Sequence, residues 1–109
     1  MSKKKTPPKT LDAAYEQVLE ELLQMFLKKH KDYGKGNILS IKELGIAFRI
    51  GEKTERIKHL LMTQNDPSNE TLEDTWLDIA VYGIIGTLYH RGQFQNLEVK
   101  PEKLSNTDQ

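Results

Sequence analysis

Four acidic side chains are the residues of this chain best placed to do chemistry. Asp78 lies inside Trp76-Leu77-Asp78-Ile79-Ala80-Val81-Tyr82-Gly83-Ile84-Ile85, where nearly every neighbour is apolar. A helix apolar around most of its circumference is largely covered, which places Asp78 at or near the interior. A carboxylate there is costly unless it meets a cation, a metal or good hydrogen-bond donors. Asp74 precedes it by one helical turn on the same face, with Glu73 beside it. Glu52 and Glu55 form a second pair, three apart within Gly51-Glu52-Lys53-Thr54-Glu55-Arg56. Helices joined by a short loop tend to pack antiparallel. Carboxylates from two facing helices would make a hard, oxygen-only site suited to Mg²⁺ or Mn²⁺, completed by water and phosphate oxygens.

Each of these residues also has a plainer role. Glu73 and Asp74 complement the dipole at the start of a helix. Glu52 and Arg56 are spaced as an ordinary surface pair. Asp78 lies too deep in its helix for the dipole to explain, and a salt bridge to Arg49 or Arg56 is its strongest alternative. Cysteine is absent, which excludes thiolate zinc sites, thiol nucleophiles and disulfides, and His30, His59 and His90 show no metal spacing, so no Cys/His set supports zinc. His90 suits a cap near a helix end, and Trp76 and Tyr82 suit packing more than base stacking. Tyr82, one turn beyond Asp78, could also orient that carboxylate. Without GxxxxGK[ST] or GxGxxG, neither P-loop nor Rossmann chemistry is suggested.

Three helices must position these groups. The first runs from Thr10 or Asp12 to about Lys31, its apolar stripe Leu11, Tyr15, Val18, Leu19, Leu22 and Phe26 recurring at helical steps. Asp32-Tyr33-Gly34-Lys35-Gly36-Asn37 reads as a loop. The second opens with Ser40 and Glu43 as a capping box and continues to about Met62, with a bend at Gly45. Its core face is Ile46, Ile50, Ile57, Leu60 and Leu61, flanked by a polar stripe of Arg49, Glu52, Lys53, Arg56 and His59. A polar loop, Asn65 to Asn69, leads to a third helix from Asn69 or Thr71 to about Arg91, which Gly92 stops. No segment alternates as a strand should, so the fold is all-α. Residues 1–9 read as a basic tail in which Lys3, Lys4 and Lys5 are solvated, 10–92 as the domain, and 93–109 as a polar tail.

Composition narrows the options. The chain has 109 residues, 16 Lys+Arg against 16 Asp+Glu, and 37% hydrophobic residues. One small domain with so little apolar content completes its core naturally by oligomerisation. Zero net charge argues against nucleic acid as a partner, and deleting residues 1–9 would test that reading. The longest apolar run, Ile79 to Tyr89, is about half of a membrane span, and no secretory pattern follows the basic start. Both point to a cytoplasmic protein with no membrane partner.

Three stretches, KHKDYGKGN (29–37), RIGEKTERIKHL (49–60) and NETLEDTWLDIAVYGII (69–85), resemble the nucleotide-modification-associated domain family of phages and bacteria. That family is in turn similar to the all-α, MazG-like nucleoside triphosphate pyrophosphohydrolases. The likeness spans roughly residues 12–92 and is most specific in the Lys-Asp-Tyr-Gly segment and in residues 72–80. It implies a MazG-like helical bundle completed by oligomerisation, as a dimer or tetramer. The implied reaction is Mg²⁺-dependent cleavage of a (deoxy)nucleoside triphosphate to monophosphate and pyrophosphate. Its metal ligands would be an ExxE pair, matched by Glu52 and Glu55, and an ExxD pair. Asp78 matches the final Asp of the second pair, but Thr75 stands where its Glu belongs, so Asp74 or Glu73 would serve instead.

In that reaction Glu55 is the candidate general base. Arg49, Lys53 and Arg56 would contact the triphosphate, and Asp32, Tyr33 and Asn37 would wall the base or sugar. The rival function is a catalytically silent helical module that binds a nucleotide or a protein partner. Convergence of Glu52, Glu55, Asp74 and Asp78 favours the enzyme, and their engagement in salt bridges favours the rival.

Overall fold

A computed structural model describes residues 6–63 and 71–105. Lys3, Lys4 and Lys5 and the loop expected at Asn65 to Asn69 lie outside them. Every regular element among the described residues is helical: α1 (Leu11–Tyr33), α2 (Gly36–Thr63), α3 (Leu72–His90), α4 (Gln93–Asn96) and α5 (Pro101–Ser105). The chain divides into two compact units, one holding α1 and α5 and the other α2, α3 and α4. Among the described residues no helix is long and apolar enough to cross a membrane.

In the first unit, the Thr10 hydroxyl accepts a hydrogen bond from the Ala13 N–H and caps α1, as its type and place lead one to expect. The helix outlasts the expected stop. It runs through Asp32 and Tyr33 to Gly34, whose φ of 67° and ψ of −152° suit glycine alone. Leu22 and Leu27 are buried, and Phe26 stacks on His30 with ring centroids 5.4 Å apart. The tail expected from residue 93 onward contains two short helices, and α5 packs on α1.

In the second unit, α2 begins at Gly36, so the expected loop shrinks to Gly34 and Lys35. The Ser40–Glu43 capping box does not form. The Ser40 hydroxyl donates to the Asn37 carbonyl at 3.0 Å, and the Glu43 carboxylate lies 3.1 Å from His90 Nδ1. The bend sits at Lys42, whose φ of 62° and ψ of −173° fall where almost only glycine is found. Gly45 still matters to the bend: a methyl group there would overlap Ile41 Cβ and sit 2.9 Å from its Cγ1. Two anchors hold the strained joint. Upstream, Lys35 Nζ donates to the Gln95 and Leu97 carbonyls and to the Glu98 carboxylate at 3.3, 2.7 and 3.0 Å. Downstream stands the Glu43–His90 contact.

The helix start at Thr71 is a true capping box. Its hydroxyl accepts from the Asp74 N–H at 3.1 Å, and the Asp74 carboxylate accepts from the Thr71 N–H at 3.4 Å. Helices α2 and α3 pack against one another. Four contacts, Glu43 with His90, Ile46 with Gly86, Lys53 with Asp78 and Arg56 with Thr75, show the packing to be antiparallel. As α2 advances, its partner on α3 recedes. Ile46, Ile57, Leu60, Val81, Ile85 and Phe94 are the buried apolar side chains of this unit. Ile50 is half-buried, and Leu61 faces solvent although its neighbour Leu60 is buried, since successive residues point about 100° apart around a helix. Gly92, with φ 75°, turns the chain into α4, which buries Phe94.

Relief of the strain at residue 42 predicts that Lys42→Gly raises stability by about 1 kcal/mol, a shift of several degrees in Tm. Gly45→Ala should lower it by about 1–3 kcal/mol through overlap with Ile41. Thermal unfolding followed by circular dichroism checks both.

Candidate functional site at the seam of α2 and α3

The side chain of Asp78 is 18% exposed, close to where its apolar surroundings place it. Its partner is Lys53, whose Nζ donates to Oδ2 at 3.0 Å, and not Arg49 or Arg56. Lys53 is itself only 27% exposed, so the pair sits half-sheltered between the two helices, where a charge-assisted hydrogen bond counts for more than on open surface. One turn further along α2, Arg56 Nε donates to Thr75 Oγ1 at 3.4 Å. Thr75 is fully buried, and its hydroxyl donates back to the Thr71 carbonyl at 3.2 Å. A row of polar contacts thus runs through an otherwise apolar seam.

The remaining acids lie apart from this row. Asp74 is exposed and engaged in the helix cap. Lys53, Arg56, Ile57 and Leu60 recur at helical spacing toward α3, which turns Glu52 and Glu55 away from it. Both glutamates are exposed, and Glu55 pairs with Lys58 on its own helix at 3.1 Å. Among the described residues no three His, Cys, Asp or Glu side chains gather as a metal-ion site. The spacing of Glu52 and Glu55 suits a hard cation in donor chemistry. Within one chain, however, these two and the acids of α3 do not form a single ligand set.

On the other side of the Lys53–Asp78 pair the seam opens into a cleft of about 530 Å³. Ile46, Ala47, Ile50, Gly83 and Gly86 give it an apolar floor, Tyr82 stands at the end nearer Asp78, and Glu43, Thr87, His90 and Arg91 line the other end. The two glycines keep the α3 wall low; a methyl group on Gly86 would already touch Ile46 at 3.6 Å. The cleft is open to solvent on one side and combines this apolar floor with polar and charged groups at its ends.

The other expected substrate contacts are scattered. Asp32 and Tyr33 are exposed in the last turn of α1, Asn37 is exposed in the first turn of α2, and Arg49 is exposed outside the cleft lining. His90 lies in the last turn of α3, as expected, and its Nδ1 faces Glu43 across the seam. The residues that line the cleft carried no signal as a group, since only the register of two helices unites them. Comparison of the chain with protein-family models, curated proteins and solved structures found no match.

The half-sheltered position of Asp78 sets its weight apart from that of the other acids. Asp78→Ala removes the Asp78 carboxylate from the seam and should cost about 1–2 kcal/mol, between the values for surface and buried pairs. Glu52→Ala and Glu55→Ala should each stay within about 0.5 kcal/mol of the parent. Urea unfolding of the three variants measures the contrast.

Proposed function

We propose that the chain binds a (deoxy)nucleoside triphosphate along the seam of α2 and α3 and cleaves it to the monophosphate and pyrophosphate. One observation carries the reading: a cleft of about 530 Å³ lies between α2 and α3, and the half-sheltered Lys53 follows Ile50 of its lining by one turn of α2, with Arg56 a further turn on. The cleft offers a floor to a base, and the cations offer donors to phosphate oxygens. Asp78 holds Lys53 in place and keeps its charge compensated until an anion competes for it. Hydrolysis, and Mg²⁺ (or Mn²⁺) as its cofactor, rest on the likeness to the MazG-like enzymes.

A second reading has its own observation. Asp78, Asp74 and Glu55 each already have a partner within the chain, as expected of a silent module that binds a nucleotide or a protein without turning it over.

Pyrophosphate release from a panel of canonical and modified deoxynucleoside triphosphates with Mg²⁺ separates the two. The enzyme should release pyrophosphate from one or a few of them, and Asp78→Asn should lower that rate about a hundredfold or more, with folding checked by circular dichroism. Absence of release across the panel, with triphosphate binding retained in equilibrium dialysis, would favour the binding module.

A further inference from the structure

The end of the cleft away from the Lys53–Asp78 pair has a definite hydrogen-bonding character. Glu43, Thr87, His90 and Arg91 line it. The Thr87 hydroxyl donates to the Gly83 carbonyl at 3.0 Å, so its proton is committed and its oxygen is left to accept. The Glu43 carboxylate is acceptor-only when ionised. His90 Nδ1, 3.1 Å from its Oε2, takes up one of about four lone-pair sites and leaves the others open. Thr87 precedes His90 by three residues, on the same face of α3, which puts both acceptors at one end of the seam. Arg91 adds a planar fork of donors.

Glu43 and Lys53 are ten positions apart on α2, both beyond the break at Lys42, a rise of about 15 Å. A ligand whose phosphates meet Lys53 and whose body crosses Ile50 and Ile46 brings its far edge to Glu43, Thr87 and Arg91. For a nucleotide that edge is the base. Thymine presents one N–H between two carbonyls, and adenine and cytosine each place an amino group beside a ring acceptor. Guanine presents two adjacent donors, N1–H and the 2-amino group, with the acceptors O6 and N7 following round the ring. Adenine or cytosine would set a ring-nitrogen lone pair against the carboxylate, and thymine a carbonyl oxygen, leaving polar groups unpaired.

We propose that this end of the cleft selects guanine, which makes the substrate class a guanine (deoxy)nucleoside triphosphate. Glu43 accepts from N1–H and the 2-amino group, Thr87 accepts the second amino proton, and Arg91 donates to O6 and N7. The proposal rests on the reading of the seam as a nucleotide site and adds what that site selects.

Equilibrium dialysis of the full chain with Mg²⁺ and the α,β-imido analogues of dGTP, dITP, dATP, dCTP and dTTP tests it without turnover. The guanine analogue should bind about tenfold or more tightly than each of the others. That includes the hypoxanthine analogue, which differs only in lacking the 2-amino group, and this comparison uses the unaltered chain. Glu43→Gln turns an accepting oxygen into a donor. It should lower guanine affinity about tenfold and leave thymine affinity near the parent value, with the fold verified by circular dichroism. Equal binding of all five analogues, guanine bound no better than hypoxanthine, a preference for another base, or a guanine preference that survives Glu43→Gln would each overturn the selection while the nucleotide site stands. Binding of none of the five would overturn both.

Discussion

The register of α2 on α3 depends on one half-sheltered ion pair. Asp78 stands among apolar residues and must be compensated, and Lys53 reaches it at 3.0 Å from the facing helix. Sliding α2 by one turn would separate the two half-sheltered charges, a penalty comparable to losing an apolar contact of similar size. With that pair in place, Arg56 arrives at Thr75, Ile46 at Gly86 and Glu43 at His90. The apolar residues of the seam supply most of the attraction, but apolar contacts are non-directional and tolerate neighbouring registers. The polar row selects one of them.

The break at Lys42 follows from the same register. The downstream part of α2 is held on α3, while Lys35 is tied by its ammonium group to Gln95, Leu97 and Glu98 just beyond α4. A straight helix from Gly36 would not satisfy both attachments. The chain bends where a side chain is least comfortable, and three charge-assisted hydrogen bonds at Lys35 help to offset a backbone strain of about 1–3 kcal/mol. Gly45 makes room for Ile41 on the inside of the bend. This joint is one wall away from the cleft, since Glu43 is both its downstream anchor and part of the lining.

Charge is distributed unevenly over the second unit. Lys53 and Arg56 lie at the seam, the acids Glu52 and Glu55 are exposed on α2, and α3 from Thr75 to Tyr89 carries Asp78 as its one charge. On the proposed reading, such a seam would take a ligand with an apolar part and an anionic part. The Lys53–Asp78 pair would then be the element that senses the anion, because binding there must weaken one ion pair to make another.

Much of the architecture was legible in the residues alone. Helical periodicity marks α1, most of α2 and α3, Thr10 and Thr71 mark starts, and Gly34 and Gly92 mark ends, because each of these is a local property of the backbone and its nearest side chains. The apolar surroundings of Asp78 placed it indoors for the same reason. The break at Lys42 was illegible, since nothing in a lysine advertises strain, and so was α4, whose one apolar anchor, Phe94, lies in a short polar stretch. Exposure of Trp76 also ran against its type. The amino-acid sequence by itself determined that the chain is helical and that Asp78 needs a partner. Only the tertiary structure decided that the partner is Lys53 and that Glu52 and Glu55 face away. The angular position of a residue on one helix acquires meaning only when a second helix packs against it in a definite register.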